Sequence, residues 1–231
     1  MKNKKLIVVA CIILIFFLAF SAFKIFKVRE IIIIGNKNLT EKQVITALGL
    51  NKGSSIIYPS SKTLYERLKK ISWIKDAIIR KDLNGRITIQ IKESTPVAIA
   101  MIDERSYLID YEAQVLEDFT EKLTNSQIFL PVLKDIDPFK NRDTLQSAID
   151  LLNFLNSRDL IEYHDELIIT GNQPDSLSIN VDNIKIIVGK GDLETKFAKY
   201  HTVTAEIQKR GLKISYIDLR FPDRVIVKPL E

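Results

Sequence analysis

Residues Trp73–Lys92 read WIKDAIIRKDLNGRITIQIK, and the reading of this stretch decides the first half of the fold. After the Asn84-Gly85 pair, Ile87, Ile89 and Ile91 alternate with Thr88, Gln90 and Lys92, the period of two that buries one face of a strand and wets the other. Before it, Trp73–Lys81 is a second strand-like run carrying Trp73 and three isoleucines. Asn-Gly between two such runs is the strongest short-range signal for a β-hairpin.

Working upstream, Val28–Ile34 (VREIIII) reads as a strand ended by Gly35-Asn36. A helix follows: Thr40-Glu41-Lys42-Gln43 has capping-box spacing, Val44 and Leu48 lie one turn apart, and Gly49 suits the left-handed residue that closes a helix. A second helix is signalled by Ser60 or Ser61 as N-cap and by Leu64, Leu68 and Ile71 at helical spacing. The predicted order is β-α-α-β-β. Downstream of Pro96, Val97–Ile102, Tyr107–Ile109, Leu167–Thr170, Leu177–Val181 and Ile184–Val188 read as strands. Two helices interrupt them, one with Leu145, Ile149, Leu152 and Leu155 on its apolar stripe, the other with Leu193, Phe197, Tyr200, Thr204 and Ile207 before Gly211. A sheet with helices on one face is the economical arrangement.

This order, the Val28, Ile31, Ile33, Gly35 pattern and the Trp73-Ile74, Ala77, Ile79-Arg80 stretch resemble a polypeptide-transport-associated (POTRA) domain. The run continues with Ile87-Thr88-Ile89, Ile91 and Glu93, then Pro96-Val97-Ala98, Tyr107-Leu108-Ile109-Asp110 and Val115-Leu116, and closes with Ile214-Ser215-Tyr216-Ile217-Asp218-Leu219-Arg220-Phe221. Together these are similar to the bacterial division family FtsQ/DivIB over nearly the whole chain. The resemblance implies an α+β protein: a single transmembrane helix, a POTRA domain, and a second domain of mainly antiparallel sheet. It gives residues 1–5 as a cytoplasmic tail, 6–26 as the membrane helix, 27–95 as the POTRA domain and 96–231 as a C-terminal β domain. It also implies a non-enzymatic scaffold at the septum of the inner membrane. Its partners would be FtsB and FtsL, with FtsK, FtsW and FtsI as further division proteins.

The residues themselves support a membrane segment. Leu6–Phe23 (LIVVACIILIFFLAFSAF) is apolar except for Ser21, and at about 1.5 Å per residue spans about 27 Å, one bilayer core. A cleaved signal peptide is the competing reading, with Lys2, Lys4 and Lys5 as its basic start and Ala19-Phe20-Ser21 as its cleavage site. The run exceeds the usual apolar length of such peptides, which favours a retained anchor. Lysines flank it on both sides, so the charge rule is close to a tie; the α-amino group tips it toward a cytoplasmic N-terminus.

The whole chain of 231 residues carries a formal +5, which invites a search for nucleic acid, but residues 1–27 hold five Lys and no acid. Residues 28–95 hold 13 basic and 6 acidic side chains, a net of +7, and residues 96–231 hold 16 and 23, a net of −7. The charge therefore gives no support to nucleic-acid binding, and the basic half lies next to the membrane segment, where anionic headgroups would attract it. One Cys and two His leave little for a disulfide, a metal centre or His-based catalysis, and no cofactor or small-molecule substrate is implied. His164 reads as a loop or strand-edge residue, and His201 as a semi-buried structural one.

The last segment, Phe221–Pro229 (FPDRVIVKP), looks like a terminal edge strand bounded by prolines, with Arg224 and Lys228 guarding its ends. An ordinary protected edge is one reading. The other is a docking edge to which a partner adds a strand. The family resemblance implies the second, with Phe221, Arg224, Val225, Ile226 and Val227 as contacts and Ile226→Pro as the change that removes a ladder N–H while leaving the domain folded. Gly189-Lys190-Gly191-Asp192 lacks the trailing Lys-Ser/Thr of a phosphate loop and reads as a strand-to-helix turn capped by Asp192. Because it matches the family's Gly-basic-Gly-Asp loop, the resemblance implies Lys190 as a further contact. Two rivals remain: a POTRA protein for outer-membrane insertion or secretion, which would need a lipid-facing barrel, and a wall-carbohydrate enzyme with paired carboxylates in a cleft.

Overall fold

A computed structural model describes residues 12–14, 26–123, 129–158, 167–181 and 184–230. The chain divides into two compact units, Met1–Ser94 and Thr95–Glu231. Among the described residues no helix is long and apolar enough to cross a membrane. The anchor expected over 6–26 lies outside them except for residues 12–14 and Phe26, as do Cys11 and His164.

The first unit contains β1 (Glu30–Ile34), α1 (Glu41–Leu48), α2 (Ser61–Leu68), β2 (Ile74–Lys81) and β3 (Arg86–Glu93), the expected β-α-α-β-β order. The sheet order is β1-β3-β2, with β3 parallel to β1 and antiparallel to β2. Ile87, Ile89 and Ile91 of β3 are buried, as are Val44 and Leu48 of α1 and Leu64 and Leu68 of α2. Thr40 forms the capping box with Gln43, Ser60 caps α2, and Gly49 closes α1 at φ 63°.

The hairpin turns over four residues, 82–85, rather than over Asn84-Gly85 alone: Asp82 N–H donates to the Arg86 carbonyl at 2.8 Å and Gly85 N–H to the Asp82 carbonyl at 3.0 Å. The glycine is required by the start of β1. Arg29 N–H donates to the Gly85 carbonyl at 2.8 Å, and at φ +96° a Cβ on residue 85 would sit 2.6 Å from the Lys27 carbonyl oxygen. At the other end of β1, the Glu93 carboxylate accepts the backbone N–H groups of Lys37 (2.9 Å), Asn38 (2.9 Å) and Leu39 (3.1 Å) and the Asn38 amide (2.9 Å). This ties the β1–α1 connection to the end of β3.

The second unit carries β4 (Pro96–Ile102), β5 (Arg105–Asp110), β6 (Val115–Asp118), a short α3 (Thr120–Leu123), β7 (Val132–Lys134), α4 (Arg142–Ser157), β8 (Ile168–Thr170), β9 (Ser178–Val181), β10 (Ile184–Ile187), α5 (Leu193–Arg210), β11 (Ile214–Asp218) and β12 (Ile226–Pro229). Nine strands form one sheet in the order β12-β11-β10-β9-β8-β7-β4-β5-β6. Pairing is antiparallel except for β4/β7, β7/β8 and β10/β11. The stripes of α4 and α5 join one apolar core with the sheet: Leu145, Ile149, Leu152, Leu155 and Phe197 are buried in it, and the Phe154 and Phe197 rings meet at 5.5 Å. Sequence patterning misses β7, because three residues after Pro131 are too few to display alternation. It is nonetheless the strand that joins β4 to β8.

Candidate functional site

β12 is one of the two edge strands of the nine-stranded sheet, β6 being the other. Its register with β11 places Ile226 opposite Asp218, Val227 opposite Ile217, Lys228 opposite Tyr216 and Pro229 opposite Ile214, with a bulge around Ser215. Proline has no N–H, so the Ile214–Pro229 pair must be of the type that is not hydrogen-bonded directly. Its ladder bond runs instead from Leu230 N–H to the Lys213 carbonyl, at 2.9 Å. Because the N–H and C=O of alternate residues point to opposite sides of an antiparallel strand, Ile226 and Lys228 address β11. Val227 directs its N–H and C=O outward, and Pro229 its C=O. The side chains divide differently: Val225 and Val227 pack against the core, while Ile226 is exposed. The outer edge thus offers one uninterrupted residue, Val227, between Val225 and a proline that ends the donors.

This register corrects the expectation for Ile226→Pro. The Ile226 N–H belongs to the β11 ladder, so proline there detaches β12 from its own sheet instead of altering only the outer edge.

The turn before β12 is held by ionic contacts. Arg220 donates through Nε and Nη2 to the Asp218 carboxylate (3.0, 3.2 and 2.7 Å), and its backbone N–H donates to the same group at 3.0 Å. The Asp218 side chain is only 6% exposed against 49% for Arg220. The Arg220 hydrogen bonds hold the Asp218 carboxyl below the usual carboxylate range, although burial opposes this. Lys199 of α5 donates to the Pro222 carbonyl, and the Arg224 guanidinium lies 5.2 Å from the centre of the Phe221 ring.

Lys190 sits on the neighbouring turn and is exposed. Gly189 takes φ +64°, and a Cβ there would lie 2.8 Å from Arg220 Cγ, so the turn abuts the Asp218–Arg220 pair. Lys196 closes it by donating to the carbonyls of Val188 (2.6 Å) and Lys190 (2.8 Å), and burial pushes its ammonium pKa down. Asp192 caps α5 through Glu194 N–H at 3.0 Å. The structure therefore places Ile226 and Val227 on the edge strand, Phe221, Arg224 and Val225 in the segment leading into it, and the Lys190 turn at the same end of the sheet. The sequence reading missed Lys196, Lys199 and the Asp218–Arg220 pair as supports; the three-residue spacing of the two lysines on α5 was the available signal. His201, expected to be semi-buried, is exposed, with its ring 5.7 Å from that of Tyr200.

A cleft of about 410 Å³ lies at the β4–β5 turn, lined by Asp103, Glu104, Arg105, Tyr107, Asp137 and Phe139 among others. Two-carboxylate chemistry needs one carboxyl held protonated. Asp137 is biased the other way, because the Phe139 and Lys140 N–H groups donate to it and hold its carboxyl low.

A three-stranded sheet with two helices followed by a broad mixed sheet ending on an edge strand is the plan of a POTRA-bearing protein. Comparison with known proteins agrees. Residues 26–94 match the POTRA domain, FtsQ-type, and residues 98–220 match Cell division protein FtsQ/DivIB, C-terminal. Among relatives, the cell division protein FtsQ of Geotalea daltonii is 24% identical over 212 residues, 88% of this chain and 76% of the relative. Cell division protein DivIB of Clostridium tetani is 25% identical over 225 residues, 94% and 85% of the two chains. FtsQ of Rickettsia bellii is 34% identical over 87 residues, 38% of this chain and 33% of the relative. The chain belongs to the FtsQ/DivIB family of cell division proteins, and its role lies in the divisome. The C-terminal match stops at Arg220, so β12 lies beyond it.

Proposed function

We propose that the chain is a non-enzymatic, single-pass scaffold of the divisome whose β12 edge receives a strand from FtsB in its pairing with FtsL. Residues 1–5 lie in the cytoplasm, 6–26 cross the inner membrane, 27–95 assist recruitment to the septum, and 96–231 hold the partners that regulate septal peptidoglycan synthesis. FtsK, FtsW and FtsI are the other division proteins this scaffold meets. The observation that carries the reading is the outward N–H and C=O of Val227 on the last strand of the sheet. Lys228 lies on β12 and Arg224 on the turn before it, within a unit of net negative charge, which supports a partner strand carrying carboxylates.

The test is Val227→Pro, which removes an outward donor and leaves the β11 ladder intact. Capture of purified FtsB/FtsL is lost while the thermal transition falls no further than in Val227→Ala, which gives up the same core packing but keeps the N–H. Ile226→Pro, by contrast, loosens the fold itself. Undiminished capture by Val227→Pro refutes strand addition at this edge.

A further inference from the structure

Three large apolar side chains of the first unit are left in solvent close together along its backbone network: Ile57 (61% exposed), Tyr58 (73%) and Leu83 (80%). Lone exposed apolar residues are ordinary, but these three occupy the two loops bonded to the segment by which the chain enters the unit. Ile56 N–H donates to the Phe26 carbonyl at 3.0 Å, Val28 N–H to the Ser54 carbonyl at 2.8 Å, and Gly53 N–H to the Val28 carbonyl at 2.7 Å. On the other side Arg29 N–H reaches the Gly85 carbonyl at 2.8 Å. Lys81 adds a further tie, donating to the Ile56 carbonyl at 2.9 Å and also to that of Pro59. The loop carrying Ile57 and Tyr58 and the hairpin tip carrying Leu83 therefore flank Phe26–Arg29. Lys27, Arg29 and Lys52 are exposed around the same strand, with Asp82 as the exposed acid at the tip.

Only Lys24 and Ile25 separate Phe26 from the end of the apolar run Leu6–Phe23. At about 3.5 Å per residue this tether allows about 10 Å, comparable to the headgroup layer on one side of a bilayer. We infer that this end of the POTRA unit is a lipid-docking surface, with Ile57, Tyr58 and Leu83 seated in the interfacial layer and Lys27, Arg29 and Lys52 against anionic headgroups. The inference rests on the proposed reading of the apolar run Leu6–Phe23 as a retained anchor. Aromatic and aliphatic side chains beside basic ones are what an interfacial site requires. The opposite end of β1 leads to Lys37, held by the Glu93 clamp; Ile34 and Ile78 are half-exposed there, both paired with Gln90 within the sheet and away from the loops that flank the entering chain.

The full chain, reconstituted in vesicles of zwitterionic and anionic phospholipid, tests this with an environment-sensitive thiol probe and lipids spin-labelled at shallow depth. The probe is placed in turn on native Cys11, on Leu83→Cys and on Lys37→Cys, the last two in a Cys11→Ser chain. Quenching at 11 and 83 but not at 37 is the expected result. Quenching at 83 should weaken without anionic lipid or in about 1 M salt, where the screening length is about 3 Å. Quenching at 11 with residue 83 no closer to lipid than residue 37 overturns the docking surface and leaves the anchor standing. No quenching at 11 overturns the anchor and the docking together.

Discussion

Replacing Glu93 by Gln isolates one electrostatic clamp. In the folded protein Oε1 accepts Lys37 and Leu39 N–H, while Oε2 accepts Asn38 N–H and the Asn38 amide. Glutamine keeps one acceptor and its two bonds. At the other position it presents an NH₂ to two donors, so two of the four bonds are lost along with the charge. Lys37 and Asn38 are exposed and regain water, whereas Leu39 is buried. At about 1 kcal/mol per lost bond the cost is about 2 kcal/mol, or about 30-fold in local opening. Hydrogen exchange of the 37–39 amides, followed by mass spectrometry, reads this directly. Burial raises the Glu93 carboxyl, but the N–H groups of Asn38, Leu39 and Lys37 outweigh it and leave its pKa below the ordinary value. A carboxyl lowered on folding stabilises the native state above its unfolded pKa of about 4.3, and that stabilisation is lost as pH falls through the lowered value. Wild-type protection at 37–39 should fall in that acid range, and Glu93→Gln should remove the dependence. Protection unchanged within about twofold at neutral pH would refute the clamp.

Gly35→Ala places a Cβ 2.2 Å from the Ile91 carbonyl oxygen at φ +89°, so a loss of about 3 kcal/mol or more is expected in thermal or denaturant unfolding. Asp218→Asn removes the charge that Arg220 grips and should cost about 2 kcal/mol, read as faster exchange over residues 219–227. Because the Asp218 carboxyl is held low, this order is present above the ordinary carboxylate range and fades as pH drops through the lowered value. An acid-insensitive turn would count against the role of the pair.

Where patterning repeats, the sequence was legible. The alternation of Ile87, Ile89 and Ile91, the Thr40 capping box and the stripes of α4 and α5 all reappear in the fold, because each is a local preference that burial reinforces. The edge strand was legible as a short β-branched run between prolines. Its direction was not: whether Ile226 or Val227 faces outward depends on the register with β11, which the bulge at Ser215 and the missing N–H of Pro229 set together. A one-residue slip exchanges the two, so the informative proline substitution moves from Ile226 to Val227.

By itself, then, the sequence determined two units of opposite charge, an apolar run over Leu6–Phe23, a β-α-α-β-β start and a family resemblance, since these depend on composition and short-range spacing. Tertiary structure alone decided that β7, three residues long, joins β4 to β8. It decided that Lys196, Lys199 and Asp218–Arg220 brace the turn before β12. It also placed Ile57, Tyr58 and Leu83 beside Phe26–Arg29. These contacts join residues far apart in the chain, and no local period encodes them.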